Sequence, residues 1–200
     1  MIAINKVKTL CLSVTIYLNH FFKDNFSACR EMVRRYPESS RPYWILGLLH
    51  FQRREYAQAI INLQQYLERK PNLPFIPDPK QDYAVYHLLG RSYVDDPDRA
   101  IAMFAKVIAL KPDFALVYAD MAKTYILKND FYKAIETSRK AIGLEHDLVI
   151  AYVYAIHSYL ALNDVAAAKE WLAKALTIDP NDSNIQYLKD LIARHGIQQP

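Results

Sequence analysis

The chain has 200 residues, a formal net charge of +4, 52% hydrophobic and 23% charged side chains, and four glycines. That balance excludes intrinsic disorder and leaves little material for glycine-rich phosphate loops. The whole positive surplus lies in residues 1–36, where Lys6, Lys8, Lys23, Arg30, Arg34 and Arg35 face only Asp24 and Glu31, so the body is neutral and lacks the basic face that a nucleic-acid binder needs.

At the N-terminus, Lys6 and Lys8 precede the apolar stretch Leu10–Leu18, which superficially resembles a secretory signal. Ser13 and Thr15 interrupt that stretch, and no small-x-small cleavage site comes after it. Leu10, Val14, Tyr17, Leu18 and Phe21 instead mark one face of a helix over 7–23. A second helix, 26–36, begins after the break Lys23-Asp24-Asn25 and stops at Pro37, which makes 1–39 a degenerate hairpin. Cys11 and Cys29 fall in these neighbouring helices and are expected to be reduced and buried, with a disulfide between them as the alternative. No run approaches the ~18 apolar residues of a membrane span. The expected location is cytoplasmic, with an atypical N-terminal export signal as the alternative; the basic N-terminus leaves contact with an anionic membrane as a lesser option.

Helix pairs are predicted at 40–53 with 56–69, 82–94 with 97–109, 114–128 with 131–143, and 148–162 with 165–177, and a single helix at 182–195 ends the series. Between the first two pairs, Pro71, Pro74, Pro77 and Pro79 impose an extended, stiff segment. Its Phe75 and Ile76 either cover a gap between neighbouring hairpins, or contact a partner or fold back over the groove. The turn before Pro97 is two residues short, and Asp95 or Asp96 is placed to cap the helix that Pro97 opens. Asn129-Asp130 and Asn163-Asp164 break between helices, because Asn tolerates the left-handed conformation and Asp caps the next helix. The resulting divisions are 1–39, 40–73, an insertion at 74–81, 82–113, 114–147, 148–181, and a capping helix with tail at 182–200. On the capping helix, Gln186, Lys189, Asp190 and Arg194 supply a polar outer side.

The four pairs repeat one another. Tyr43 is followed by Leu46-Gly47, His50, Ala59, Leu63 and Pro71; Tyr86 by Leu89-Gly90, Tyr93, Ala100, Phe104 and Pro112. Tyr118 is followed by Met121-Ala122, Tyr125, Ala134, Ser138 and Ala141; Tyr152 by Ala155-Ile156, Tyr159, Ala168, Leu172, Ala175 and Pro180. Tyrosine, apolar/small pair and second aromatic fall at i, i+3, i+4 and i+7, one stripe of a helix. The small residues (Gly47, Gly90, Ala122) and the repeat alanines allow two helices to approach closely. This register resembles the tetratricopeptide repeat over about 40–182. The resemblance implies an all-α, right-handed α-solenoid of stacked antiparallel helix hairpins, each burying its apolar face against the next.

No catalytic site, cofactor site or metal site is legible. Gly47, Gly90, Gly143 and Gly196 stand alone, and His20, His50, His87, His146, His157 and His195 form no paired ligand motif. His50 occupies a position where other repeats carry tyrosine, so it is expected to pack in the core. Nothing suggests a nucleophile held by a base and an orienting acid, and the expectation is a non-enzyme without cofactors.

The family resemblance implies a ligand lying along the concave face formed by the first helix of each hairpin. Carried onto this sequence, the partner-binding face consists of Trp44, Leu48, Phe51, His87, Arg91, Lys123, His157 and Leu160, with Ala119 and Val153 between them. Trp44 and Phe51 would serve as aromatic anchors, and Arg91 and Lys123 would receive a carboxylate. The implied partner is a protein or peptide with apolar anchors and an acidic group. Relatives that clamp chaperone tails carry Lys and Asn four apart where this chain has Trp44 and Leu48, so that ligand is not expected. The expected role is an adaptor or assembly factor; a client-specific secretion chaperone and a regulatory module of a separate enzyme are the alternatives.

Overall fold

The computed structural model describes residues 25–69 and 82–197. The helix expected at 7–23, Cys11, and the Pro-rich insertion with Phe75 and Ile76 lie outside the described residues. The chain divides into two compact units, Met1–Pro77 and Asp78–Pro200. All the regular structure described is helical, and no described helix is long and apolar enough to cross a membrane.

The first unit contains α1 (Asn25–Arg35), α2 (Arg41–Gln52) and α3 (Tyr56–Arg69), with α1 packed on α2 and α2 on α3. Pro42 lies in the first turn of α2, where its missing N–H costs nothing. Gly47 decides how closely α2 and α3 meet: a Cβ there would sit 2.7 Å from the Leu63 side chain. The turn joining the two helices puts Arg54 at φ 60°, and the Glu55 N–H donates to the His50 carbonyl (2.9 Å). His50 is buried, in keeping with its repeat position, and its Nδ1 lies 2.5 Å from the Glu55 carboxylate. Cys29 is a buried free thiol, and burial pushes its pKa up.

The second unit contains α4 (Tyr83–Ser92), α5 (Pro97–Leu110), α6 (Ala115–Leu127), α7 (Phe131–Leu144), α8 (Val149–Ala161), α9 (Val165–Ile178) and α10 (Ser183–Ile197). Each helix packs on the next, and the alternate pairs α6/α8 and α8/α10 also touch, so first helices of successive hairpins lie side by side. The turns after α6 and α8 repeat the geometry seen at Arg54. Asn129 and Asn163 take φ 58° and 59°, and the N–H of the following Asp reaches back to the Tyr125 or Tyr159 carbonyl. Asp130 and Asp164 then cap α7 and α9 by accepting from Lys133 N–H and Ala167 N–H. In the shortened turn the capping residue is Asp96, which accepts from Arg99 N–H.

A second recurring tie explains the tyrosine that opens a repeat. Tyr43, Tyr118 and Tyr152 donate their hydroxyls to the carbonyls of Pro37, Pro112 and His146, six residues earlier in every case. The bond pins each of these first helices to the end of the preceding hairpin. Only a carbonyl is needed there, which is why proline and histidine serve equally. On α10 the equivalent position holds Gln186, whose side-chain amide donates to the Pro180 carbonyl. Gln186 is therefore a structural tie, whereas Lys189, Asp190 and Arg194 are exposed. Ile185, Leu188 and Ile192 on the opposite side close the apolar cluster of Tyr152, Ile156 and Leu172.

Helix approach in this unit again depends on small residues. A Cβ on Gly90 would fall 2.4 Å from the ring of Phe104, which is only 2% exposed. At the corresponding register of the next hairpin Ala122 is matched by Ser138, both fully buried, and the Ser138 Oγ has no hydrogen-bond partner among the described residues. Gly143, by contrast, has nothing within 4 Å of where its Cβ would be.

Alanine at Gly90 is expected to cost about 1–3 kcal/mol through overpacking, while alanine at Gly143 should add roughly 0.5 kcal/mol through helix propensity. Thermal unfolding followed by circular dichroism should thus show opposite shifts for one chemical change. Alanine at Ser138 removes an unpaired buried hydroxyl and should stabilise by about 1 kcal/mol; a lower midpoint in denaturant would show that the hydroxyl has a partner after all.

Candidate functional site

The first helices of the second unit place Arg91 (α4), Lys123 (α6) and His157 (α8) at one repeat position, and all three are exposed. Leu160, one turn beyond His157, is half-buried. His87 does not share that exposure. It is 7% exposed, its ring lies edge-on to Phe114 (centroids 5.0 Å apart), and its Nε2 is 2.6 Å from Asp120 Oδ2. For that bond the imidazole proton sits on Nε2, with the carboxylate accepting. The partner contact expected of His87 is corrected accordingly: the side chain is spent on joining α4 to α6, because packing against Phe104 and Phe114 turns it inward.

Asp120 carries no motif that marks it in the sequence, yet it organises this face. It is the single acidic residue of α4, α6 and α8, and its Oδ2 also lies 3.9 Å from Arg91 Nε. Arg91 thus already stands near an internal carboxylate. Tyr154 is equally unmarked in the sequence. Its ring packs on the cluster of Ala119, Ala141 and Ala151, so Ala119 is a buried platform rather than a surface contact. Burial pushes the Tyr154 hydroxyl up to about 12; the Asp120 carboxylate adds to the shift and Arg91 opposes it. Tyr154 is therefore a neutral donor at ordinary pH. Asp120 and Tyr154 occupy the same repeat position, one residue after Ala119 and Val153. A one-residue rotation of the expected face, about 100° on a helix, finds both.

The acids of the second helices are paired, two of them within their own helix and Asp98 across to the end of α6. Glu136 pairs with Lys140 (2.9 Å), Glu170 with Lys174 (2.7 Å), and Asp98 with Lys128. Among the described residues no such pair holds Lys123, and no group of three His, Cys, Asp or Glu side chains is arranged to hold a metal ion.

The remaining expected residues belong to the first unit. Trp44 is half-buried, tilted over Tyr66 with ring centroids 5.8 Å apart; burial pushes the Tyr66 hydroxyl up. Phe51 is half-buried against Tyr56 at the same centroid distance, and Leu48, also half-buried, lies between them on α2.

Two family models, each described as a tetratricopeptide repeat, match residues 28–74 and residues 115–147 and 151–182, together more than half of the chain. The chain belongs to the tetratricopeptide repeat family. Its fold is similar to the crystal structure of MamA (TM-score 0.71, 20% identity, 82% of this chain and 92% of that one). It is also similar to YrrB, a repeat protein described as having an unusual peptide-binding site (TM-score 0.70, 14% identity, 90% and 87%). A third similar structure is the second repeat domain of human RPAP3 in complex with the HSP70 peptide SGPTIEEVD (TM-score 0.53, 20% identity, 57% and 98%). At these identities the likeness shows the fold alone. No curated protein matches the chain by sequence.

Replacing Asp120 by Ala leaves the buried His87 without its acceptor and is expected to cost the second unit about 1–3 kcal/mol. Denaturant unfolding followed by circular dichroism measures this. An unchanged midpoint would return His87 to the partner-contact role read from the sequence.

Proposed function

We propose that the protein is a non-catalytic interaction module, an adaptor or assembly factor that holds a segment of a partner protein against the first-helix faces of its repeats. The observation that carries this reading is the placement of charge in the second unit. Arg91, Lys123 and His157 recur at one exposed position of successive first helices, while the acids of the second helices are already paired with lysines. A surface that repeats basic groups in register against a single internal acid favours a partner that supplies further anions. The family supports the same reading, since the RPAP3 domain with a similar fold is complexed with a peptide carrying acidic residues at its end. In the first unit, Trp44, Leu48 and Phe51 offer half-buried apolar surface on one helix, suited to anchoring rather than chemistry.

Affinity capture from the source cell tests the assignment. Lys123→Glu reverses charge on the first-helix face, and Lys140→Glu does so on α7. Both variants must first show wild-type helicity by circular dichroism. A partner lost by Lys123→Glu and kept by Lys140→Glu is the expected result. The opposite pattern would move the binding surface to the second helices.

A further inference from the structure

We propose that Arg30 and Arg53 form a binding site for a phosphate monoester, their guanidinium groups held on one phenyl ring where α1 meets the turn between α2 and α3. The site shares no residue with the first-helix face and stands or falls independently of the interaction module.

The geometry starts from Phe26 on α1. Its half-buried ring meets the buried His50 of α2 edge-on, with centroids 4.9 Å apart, so two helices fix its position. Arg30, one turn along α1, places its guanidinium 4.8 Å from the ring centre. Arg53, the C-cap of α2, places its own 4.5 Å from the same centre. Both arginines are exposed. A guanidinium lying over a ring uses its face for that contact and keeps the N–H groups of its edge for oxygen acceptors. Two cations from different elements are thereby brought to one point and preset, which lowers the entropy lost when they close on a ligand.

The nearby acids are already engaged. Glu31, beside Arg30 in sequence, is held by Arg34 (2.8 Å) and Arg35 (2.5 Å), and the Glu55 carboxylate lies 2.5 Å from His50 Nδ1. Among the described residues neither Arg30 nor Arg53 forms an ion pair. Arginines over other rings differ in this respect. Arg69, over Tyr43, donates to the Pro37 carbonyl, and Arg99, over Tyr93, pairs with Asp96 at 3.1 Å.

The choice of cation points to the ligand. Residues 25–69 carry seven arginines and no lysine, whereas nine of the thirteen basic residues in 82–197 are lysines. Arginine presents a planar fork that matches an oxyanion, where lysine offers a point charge. Two forks supply more donors than the two oxygens of one carboxylate can accept. A phosphate monoester has three terminal oxygens and a charge of about −2 at neutral pH, and so can engage both. That group occurs on soluble small molecules and on lipid headgroups such as phosphatidic acid, and the chemistry of the site is common to both.

The full chain, carrying isotopically labelled arginine, is titrated with inorganic phosphate and, at matched ionic strength, with acetate, and the arginine Nε–H signals are followed by NMR. Phosphate should shift the Arg30 and Arg53 signals along one binding curve, and acetate should bind about tenfold more weakly. Arg30→Lys and Arg53→Lys keep the charge but remove the fork. Each should weaken phosphate about tenfold with helicity unchanged by circular dichroism, while Arg99→Lys should have no effect. Sedimentation with phosphatidylcholine vesicles containing phosphatidic acid, or the same proportion of phosphatidylserine, identifies the source. Binding to phosphatidic acid vesicles alone, lost in both lysine variants, marks a lipid headgroup; phosphate binding without vesicle binding marks a soluble ligand. Equal affinity for phosphate and acetate, or phosphate binding untouched by either lysine variant, would overturn the site. Equal sedimentation with both anionic vesicles would reduce it to general surface charge and overturn the phosphate assignment. Neither failure bears on the first-helix face, and the interaction module would stand.

Discussion

The described hairpins depend on how closely their two helices can approach, and that distance is set by side chains facing each other across the hairpin. Gly47 receives Leu63 and Gly90 receives Phe104, each so tightly that even a Cβ would collide. Interiors this dense have few voids, so a large residue on one helix requires a small one on the other. Where the large residue is replaced by Ser138, the glycine is replaced by Ala122, and the pair remains fully buried. In the last hairpin Ile156 takes the small residue's place, and both it and Leu172 belong to the cluster that α10 closes. The trade of large against small thus holds at Gly47/Leu63 and Gly90/Phe104, whereas the last hairpin keeps two large residues in this register.

Stacking of successive hairpins rests on a different device. The opening tyrosine of a repeat reaches back six residues to a carbonyl at the end of the previous one, a bond that fixes the entry angle of the first helix. Because the acceptor is main chain, its side chain is free to vary, and His146 replaces proline without loss of the tie. Gln186 preserves the bond on α10, which is oriented as though another repeat were beginning, while the opposite surface of that helix is polar. Placing first helices side by side in this way brings Asp120 under His87 and Tyr154 over Ala119. The candidate site is thus a product of repeat-to-repeat geometry rather than of any one hairpin.

The helices and their pairing are legible because the apolar period, the capping aspartates and the small residues are all local signals. The turn at Arg54 is not. It has the same left-handed geometry as Asn129 and Asn163, yet arginine carries no preference for it, so only the surrounding Schellman-type bonds hold it there. His87 misleads for a related reason: a polar residue at a groove position looks available until the aromatic rings packed against it are known.

The all-helical repeat, the register of the close contacts and the family can all be read from the amino-acid order, since they depend on periodicities that recur every hairpin. Which polar groups of the first helices remain available is settled only by packing in three dimensions. The pairing of His87 with Asp120 joins residues 33 positions apart, and the alanine platform beneath Tyr154 draws on three different helices. Neither contact leaves a trace in local pattern, because helix rotation by a single residue moves a side chain from the buried stripe to the exposed one. That rotation is set by packing between repeats.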